Sequence, residues 1–295
     1  MERQLLNRAL GAYLGFACGD ALGATVEFMS PRQIQKRHGV HTEIIGGGWL
    51  GLEAGQVTDD SQMSMAVGEA ILEQQGWNLT AVADKFVAWL ASNPPDIGNT
   101  CRRGILRYRD SGILQGEPRA DEAGNGACMR NLPVVLATLF NPVSFEAWTL
   151  QQARLTHHHP LSDAATLALG RMAGRLIKGD PVADCKLEID ALIGQFGEFA
   201  YQPYPGKASG YIVDTLQTVL HYFFNSGDFE SCLIGTVNRG GDADTTGALA
   251  GMLAGAAYGL EQIPQRWLAR LEPPVAEQLK RQTLGLIEYA VNTSG

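Results

Sequence analysis

Two stretches crowd oxygen donors at points where an apolar-periodic helix begins. In "GQVTDDSQMSMAVGEAIL", residues 55–72, Thr58, Asp59 and Asp60 stand side by side. In "NRGGDADTTGALAG", residues 238–251, Asp242, Asp244 and Thr245 follow two glycines. Adjacent carboxylates repel, so a cation between them is expected. Helix capping is the plain alternative, because Asp and Thr are preferred N-caps and acids near a helix start gain about 0.3–1 kcal/mol. A helix needs one cap residue, however, and each stretch holds at least three Asp/Thr. Two such clusters in one chain favour a metal centre. The donors are carboxylates and hydroxyls with no Cys or His interleaved, which suits Mg2+ or Mn2+ rather than Zn2+ or copper. The four carboxylates would balance two divalent ions, and two ions about 3.5–4 Å apart orient substrate oxygens and lower the pKa of a bound water.

The elements that must position these donors read as helices. Met63, Ala66, Val67, Ala70 and Ile71 recur at helical spacing. Similar patterns run through 4–25, 79–92, 131–140, 144–156, 161–178, 185–196, 210–224, 229–238, 245–259, 264–271 and 274–291. Asn78 is a start signal for one, Ser144 with Glu146 for another, and Pro264 for the short stretch at 264–271. No run of alternating β-branched residues stands out, so the expected class is all-α. Three of the helices are rich in small residues: "GAYLGFACGDALGA", "ATLALGRMAGRL" and "TTGALAGMLAGAAYG". Gly inside a helix costs about 0.5–1 kcal/mol relative to Ala. Its repetition predicts central helices whose backbones approach closely.

Composition narrows the function classes. A net charge of -8 argues against a nucleic-acid surface. The basic run "CRRGILRYR" reads as a solvated helix face. Five Cys without CxxC spacing read as buried hydrophobes in a reducing compartment. The charged N-terminus lacks a signal-peptide core, and the longest apolar run, 247–260, is too short to span a bilayer. A cytoplasmic protein of one domain, residues 1–295, is expected.

The pairing of "TDDS" early with "GGDADTTG" late resembles the ADP-ribosylglycohydrolases, and the resemblance runs nearly full length from "GAYLGFACGDALGATVEF" to "GALAGMLAGAAYG". "NPPDIGNTCRRGI" is similar to the branch of that family that removes ADP-ribose from an arginine of the nitrogenase iron protein. The resemblance implies a compact, single-domain orthogonal helical bundle with a two-metal site at the ends of central helices. It implies Thr58, Asp59, Asp60, Asp242, Asp244 and Thr245 as ligands of two divalent cations, Mn2+ ahead of Mg2+. Glu27, in "GATVEF", matches a family glutamate beside the metals, and none of these seven positions departs from the pattern. It also implies an ADP-ribosylated protein substrate. Control by a nitrogen-signalling regulatory protein, with reversible membrane association through that partner, follows from the same branch.

The implied reaction breaks the bond between ribose C1 and a guanidinium nitrogen, with oxocarbenium character on the ribose. A basic leaving group calls for an acid. Asp96, in "NPPDIGNT", is the candidate; its residue types alone read as a surface turn, and the resemblance reverses that reading. A role for Asp96 in opening the ribose ring is equally open. Glu27 is the rival base, and Asp60 the metal-site carboxylate placed with them. Phosphate contacts are implied at Gly98, Asn99 and Thr100 and at Gly124, Asn125 and Gly126, where backbone N–H groups can meet anions, although such loops alone read as connections. In "LTHHHP", His157 follows a Thr as the family's ligand-contacting His does, and Pro160 begins the next helix. Tyr211 reads either as an adenine or pocket contact or as a core tyrosine. Rival readings are a two-metal phosphohydrolase, an ADP-ribose binder without turnover, and a glycohydrolase for serine- or DNA-linked ADP-ribose.

Overall fold

A computed structural model describes residues 2–293. The order is α1 (Glu2–Ala24), α2 (Pro31–His38), α3 (Asp59–Gln74), α4 (Leu79–Ala91), α5 (Asn99–Ser111), α6 (Leu132–Ala137) and α7 (Pro142–Arg154). It continues with α8 (Pro160–Lys178), α9 (Val182–Gln195), α10 (Ile212–Asn225), α11 (Phe229–Val237), α12 (Ala243–Tyr258), α13 (Gln265–Leu268) and α14 (Pro273–Asn292). Among the described residues there is no strand, only isolated bridges between Gly47 and Leu52 and between Gly124 and Tyr211. The all-α expectation holds. Among the described residues, no helix is long and apolar enough to cross a membrane. All five cysteines are free and buried.

Local signals explain most helix starts. Asn78 Oδ1 accepts the Ala81 amide at 3.1 Å, as expected for α4. Helix α7 starts earlier than the Ser144/Glu146 signal implied: Pro142 is its first residue and Asn141 Oδ1 accepts the Ser144 amide. The stretch expected at 131–140 is helical only over Leu132–Ala137, and that at 264–271 only over Gln265–Leu268. Helix α2 was not anticipated. It buries only Ile34, so it has no apolar period to read; its signal is the capping box between Ser30 and Gln33.

Two helices form the centre. Every residue of α1 from Gly11 to Ala24 is buried, and so is every residue of α12 from Ala243 to Ala256. They run antiparallel in backbone contact. A Cβ built on Gly11 would lie 2.4 Å from the Gly255 oxygen, one on Gly15 2.6 Å from Gly251, one on Gly19 2.0 Å from Gly247, and one on Gly23 2.0 Å from Ala243. Each step of one helical turn up α1 is matched by one turn down α12. The close approach anticipated from the small residues is therefore a paired ladder, and its last rung delivers the C-terminal end of α1 beside the start of α12.

Gly19→Ala is expected to destabilise the protein by more than the roughly 1–3 kcal/mol of ordinary overpacking, because the obstacle is backbone. Gly194→Ala, at an exposed position of α9 with nothing near its Cβ, should stabilise by about 0.5–1 kcal/mol. Urea unfolding of both variants checks the pair; equal effects would refute the ladder.

Candidate active site

Three chain segments meet where the ladder ends. Asp20, on α1, accepts the Thr58 amide at 3.0 and 3.2 Å, the Ser61 amide at 3.2 Å and the Ser61 hydroxyl at 2.6 Å, which fastens the start of α3 to α1. Just beyond α1, the Phe28 amide donates to the Gly241 oxygen at 2.6 Å and the Gly241 amide to the Met29 oxygen at 2.9 Å. That pair of bonds brings Glu27 to the start of α12. Glu27, Asp242 and Asp244 each place a carboxylate oxygen within 4.8 Å of the others. Asp60 joins both clusters, since its Oδ2 accepts from Thr58 Oγ1 at 3.3 Å and from Thr245 Oγ1 at 3.2 Å.

Capping does not use up these residues. Thr58 caps α3 by accepting the Asp60 amide, but Asp242, at the cap position of α12, makes no side-chain cap bond. The Asp242 carboxylate instead accepts from Asn125 Nδ2 at 2.6 Å. Burial, then the neighbouring carboxylates, push the acids up: Glu27 to about 8 and Asp59 to about 7, with Asp60 and Asp244 well above the carboxylate range. Asp20 is pushed up to about 6 by burial alone, against its four hydrogen bonds. Asp60 Oδ1 is buried without a hydrogen-bond partner. Buried carboxylates with an orphaned oxygen, grouped closely without a His or Cys among them, are a fit for hard divalent cations.

The acids floor a cleft of about 440 Å3 lined by Phe28, Trp49, Asp96–Cys101, Gly124–Gly126, Met129, His157 and Gly210. No Lys or Arg lines it. A larger cavity of about 520 Å3 lies between α6, α7, α8 and α9, but its Arg171 and Arg175 are paired with Glu146, Asp180 and Glu188. The cluster of buried acids lies in the smaller one.

Asp96 is half-buried on the cleft wall, with burial raising its carboxyl and the Ile97 amide donating to Oδ1 at 2.7 Å. Asn99 and Thr100 open α5, with Gly98 at its cap position. Gly124–Gly126 do not open a helix; they form a turn ahead of α6. Within it the Asn125 side chain is committed to Asp242 and to Thr215 Oγ1, so its visible work is positioning a carboxylate. Tyr211 is 42% exposed at the cap position of α10, so the core-tyrosine reading fails; Gly210 lines the cleft, while Tyr211 bridges to Gly124.

His157 is buried against Gly124 and Gly126, where an added Cβ would lie 2.9 and 2.7 Å from its ring. Arg130, fully buried, donates to Gln152 Oε1, to the Gln152 oxygen and to Thr156 Oγ1, each at 2.8 Å. Arg cannot accept, so the Thr156 hydroxyl accepts from it, and the same hydroxyl lies 2.7 Å from His157 Nδ1. With the hydroxyl proton turned to Nδ1, the ring carries its own proton on Nε2, at the cleft. Burial, then Arg130 and Arg103, hold His157 well below its ordinary pKa, so the ring is neutral.

Sequence reasoning missed Asp20, Trp49 and Arg130. Asp20 had a signal, as the lone acid in "GFACGDALGA"; Trp49 had a weaker one, as an aromatic in "GGGWLG". Arg130 had none.

A family model for ADP-ribosylglycohydrolase matches residues 1–293. The chain is 52% identical to the ADP-ribosyl-[dinitrogen reductase] glycohydrolase of Rhodospirillum rubrum, over 96% of this chain and 97% of that one. It is 32% identical to the ADP-ribosylarginine hydrolase Tri1 of Serratia proteamaculans, over 92% of this chain and 76% of that protein. A solved ADP-ribosylglycohydrolase-related protein complex contains a chain 31% identical that superposes with a TM-score of 0.86, covering 98% of this chain and 99% of that chain.

The raised acids fix the pH response of the cation-free protein. These acids bind more protons in the folded chain than in the unfolded one between pH about 4 and 8, so their contribution to stability falls as pH rises through that window. In chelator, the melting temperature is expected to drop from pH 5 to pH 8, conditions chosen to span roughly that window, and Mn2+ should raise it more at pH 8, where its ligands are deprotonated. A flat profile with no Mn2+ shift would remove the metal-site assignment. Separately, 15N NMR should find His157 neutral with its proton on Nε2 throughout the range where free His titrates, about pH 5.5–7.5. Thr156→Val should release that tautomer.

Proposed function

The chain belongs to the ADP-ribosylglycohydrolase family, and from that premise we propose that it hydrolyses the N-glycosidic bond of ADP-ribosylated arginine on a protein, with the nitrogenase iron protein as the target favoured by its similarity to the Rhodospirillum rubrum glycohydrolase. The observation that carries the reading is the unpartnered Asp60 Oδ1, buried where the two Asp/Thr clusters meet on the floor of the cleft. Thr58, Asp59, Asp60, Asp242, Asp244 and Thr245 would hold two divalent cations, Mn2+ ahead of Mg2+, with Glu27 beside them. Bound there, the cations would supply Lewis-acid charge for the ribose hydroxyls and for activating water.

The chain's own groups do the rest. Backbone N–H groups at Gly98–Thr100 and at Gly124 and Gly126 would take the diphosphate, while the Asn125 backbone amide donates to the Gly210 oxygen and holds the turn; among the described residues the cleft lining offers no cationic side chain. His157 would donate from Nε2 to a ligand oxygen. Asn125 and Trp49 hold the Asp242 and Glu27 carboxylates in fixed directions. In the reaction the ribose C1–N bond breaks, the oxygen of water joins C1, and a proton from that water ends on the guanidine nitrogen. Asp96 is assigned the proton transfer. Its carboxyl is raised by burial and borders the cleft, so it can carry a proton to a basic leaving nitrogen. Glu27, pushed up to about 8, is the rival for that role. The same reading puts the enzyme in the cytoplasm, under a nitrogen-signalling protein that can tether it reversibly to the membrane.

ADP-ribose release from an arginine-ADP-ribosylated protein is expected with Mn2+, less with Mg2+, and not with chelator. Asp60→Ala should fall to the chelator level, and Asp96→Asn should lose roughly 10²–10⁴-fold in kcat. Release from a serine-linked substrate alone, or phosphate release from simple phosphoesters, would replace this reading.

A further inference from the structure

Phe28 and Trp49 are 65% and 53% exposed, yet both line the cleft and their rings meet at a centroid distance of 5.3 Å. Their placement is built. Phe28 holds φ at 60°, a backbone region that bulky residues rarely enter, and its amide is tied to the Gly241 oxygen. Trp49 rides on a turn in which Gly46, Gly47, Gly48 and Gly51 all have positive φ. Thr25 Oγ1 holds the Gly46 oxygen at 3.0 Å, and a Cβ on Gly48 would lie 2.3 Å from the Ala24 oxygen, so the turn is pressed onto the end of α1. The Trp49 indole N–H donates to Glu27 Oε2 at 2.6 Å.

Attachment to the acidic floor gives the rings a role. The 46–51 turn meets the floor through the Trp49–Glu27 bond, and the 124–126 turn meets it through the Asn125–Asp242 bond, on a different acid of the same close group. With the diphosphate at the Gly124–Gly126 turn and ribose C1 over the floor, a leaving group directed to the Glu27 side lies beside the rings.

We propose that Phe28 and Trp49 form the recognition surface for the guanidinium of the modified arginine and set the preference for arginine-linked over serine-linked ADP-ribose. The inference rests on the functional reading above. A guanidinium is planar, delocalised and weakly hydrated, and it stacks on aromatic faces. An ADP-ribosylated serine presents a neutral ether oxygen there and gains nothing from the rings. Glu27, fixed by the same indole, adds a carboxylate at the edge of the platform.

Two Trp49 variants separate the ring from its N–H group. Trp49→Gln keeps an amide donor for Glu27 and removes the ring; Trp49→Phe keeps a ring and removes the donor. With metal-loaded enzyme and matched ADP-ribosyl-arginine and ADP-ribosyl-serine peptides, Trp49→Gln should raise KM for the arginine-linked peptide about tenfold and leave KM for the serine-linked one unchanged. Trp49→Phe should keep the arginine/serine ratio of kcat/KM within about threefold and lower kcat for both. Phe28→Leu should shift the ratio in the direction of Trp49→Gln. ADP-ribosyl-arginine, and not ADP-ribose, should quench the fluorescence that Trp49→Phe removes. If the wild type cleaves the arginine-linked peptide but Trp49→Gln leaves the ratio unmoved, the platform is wrong and the glycohydrolase stands. If the wild type cleaves no arginine-linked peptide, both fall.

Discussion

The backbone contact between α1 and α12 is the constraint from which the site follows. With no side chain between the two helices over Gly11, Gly15, Gly19 and Gly23, their register is fixed by main-chain atoms, which do not adjust as rotamers do. The end of α1 therefore meets the start of α12 in one arrangement. Asp20 captures the 58–61 turn with four hydrogen bonds, and the Phe28–Gly241 and Gly241–Met29 bonds fasten the other side. Three remote segments thereby share one acidic floor. Repeated glycine in a helix costs about 0.5–1 kcal/mol each time, and the close approach is what that cost secures.

The electrostatics of the floor oppose the packing that creates it. Burial and mutual repulsion raise Glu27, Asp59, Asp60 and Asp244 together. Among the described residues, no salt bridge joins the buried Arg130 to them. Arg130 is satisfied by the neutral acceptors Gln152 and Thr156, with its guanidinium 4.9 Å above the Phe86 ring. Asp20 differs from the others because its hydrogen-bond donors, not a cation, compensate its burial. Asp20 is thus a structural acid, and the remaining carboxylates are the ones that divalent cations would complete.

What was legible in the sequence follows from this division. The two Asp/Thr clusters and the small-residue helices are local patterns, and the structure brings the clusters together at the end of the glycine ladder. Helix periods were readable wherever one face is apolar. They failed at α2, which buries a single residue, and at the ends of α6 and α7, where Thr138 bonds back to the Val134 oxygen and Asn141 supplies the cap. Asp20, Trp49 and Arg130 were missed because each takes its role from partners remote in sequence: Thr58 and Ser61, Glu27, and Gln152 and Thr156. Tyr211 was ambiguous for the same reason: its bridge to Gly124, a residue remote in sequence, goes with its place at the surface.

The cleft walls are loops, yet two of them are tied to the floor through its carboxylates. Asn125 links the 124–126 turn to Asp242, and Trp49 links the 46–51 turn to Glu27. These two acids are near neighbours, so whatever occupies the floor bears on both loops through a single hydrogen bond each. A hydrogen bond to a charged group is stronger than one to a neutral partner, by roughly a factor of two. The grip on the 46–51 turn therefore depends on how Glu27 is ionised, which the cations would govern. Helix ends supply a rigid donor set, and the loops that would shape substrate choice are ordered by that same set. On the proposed reading, cations on the floor and the loops above it would be coupled through Glu27 and Asp242.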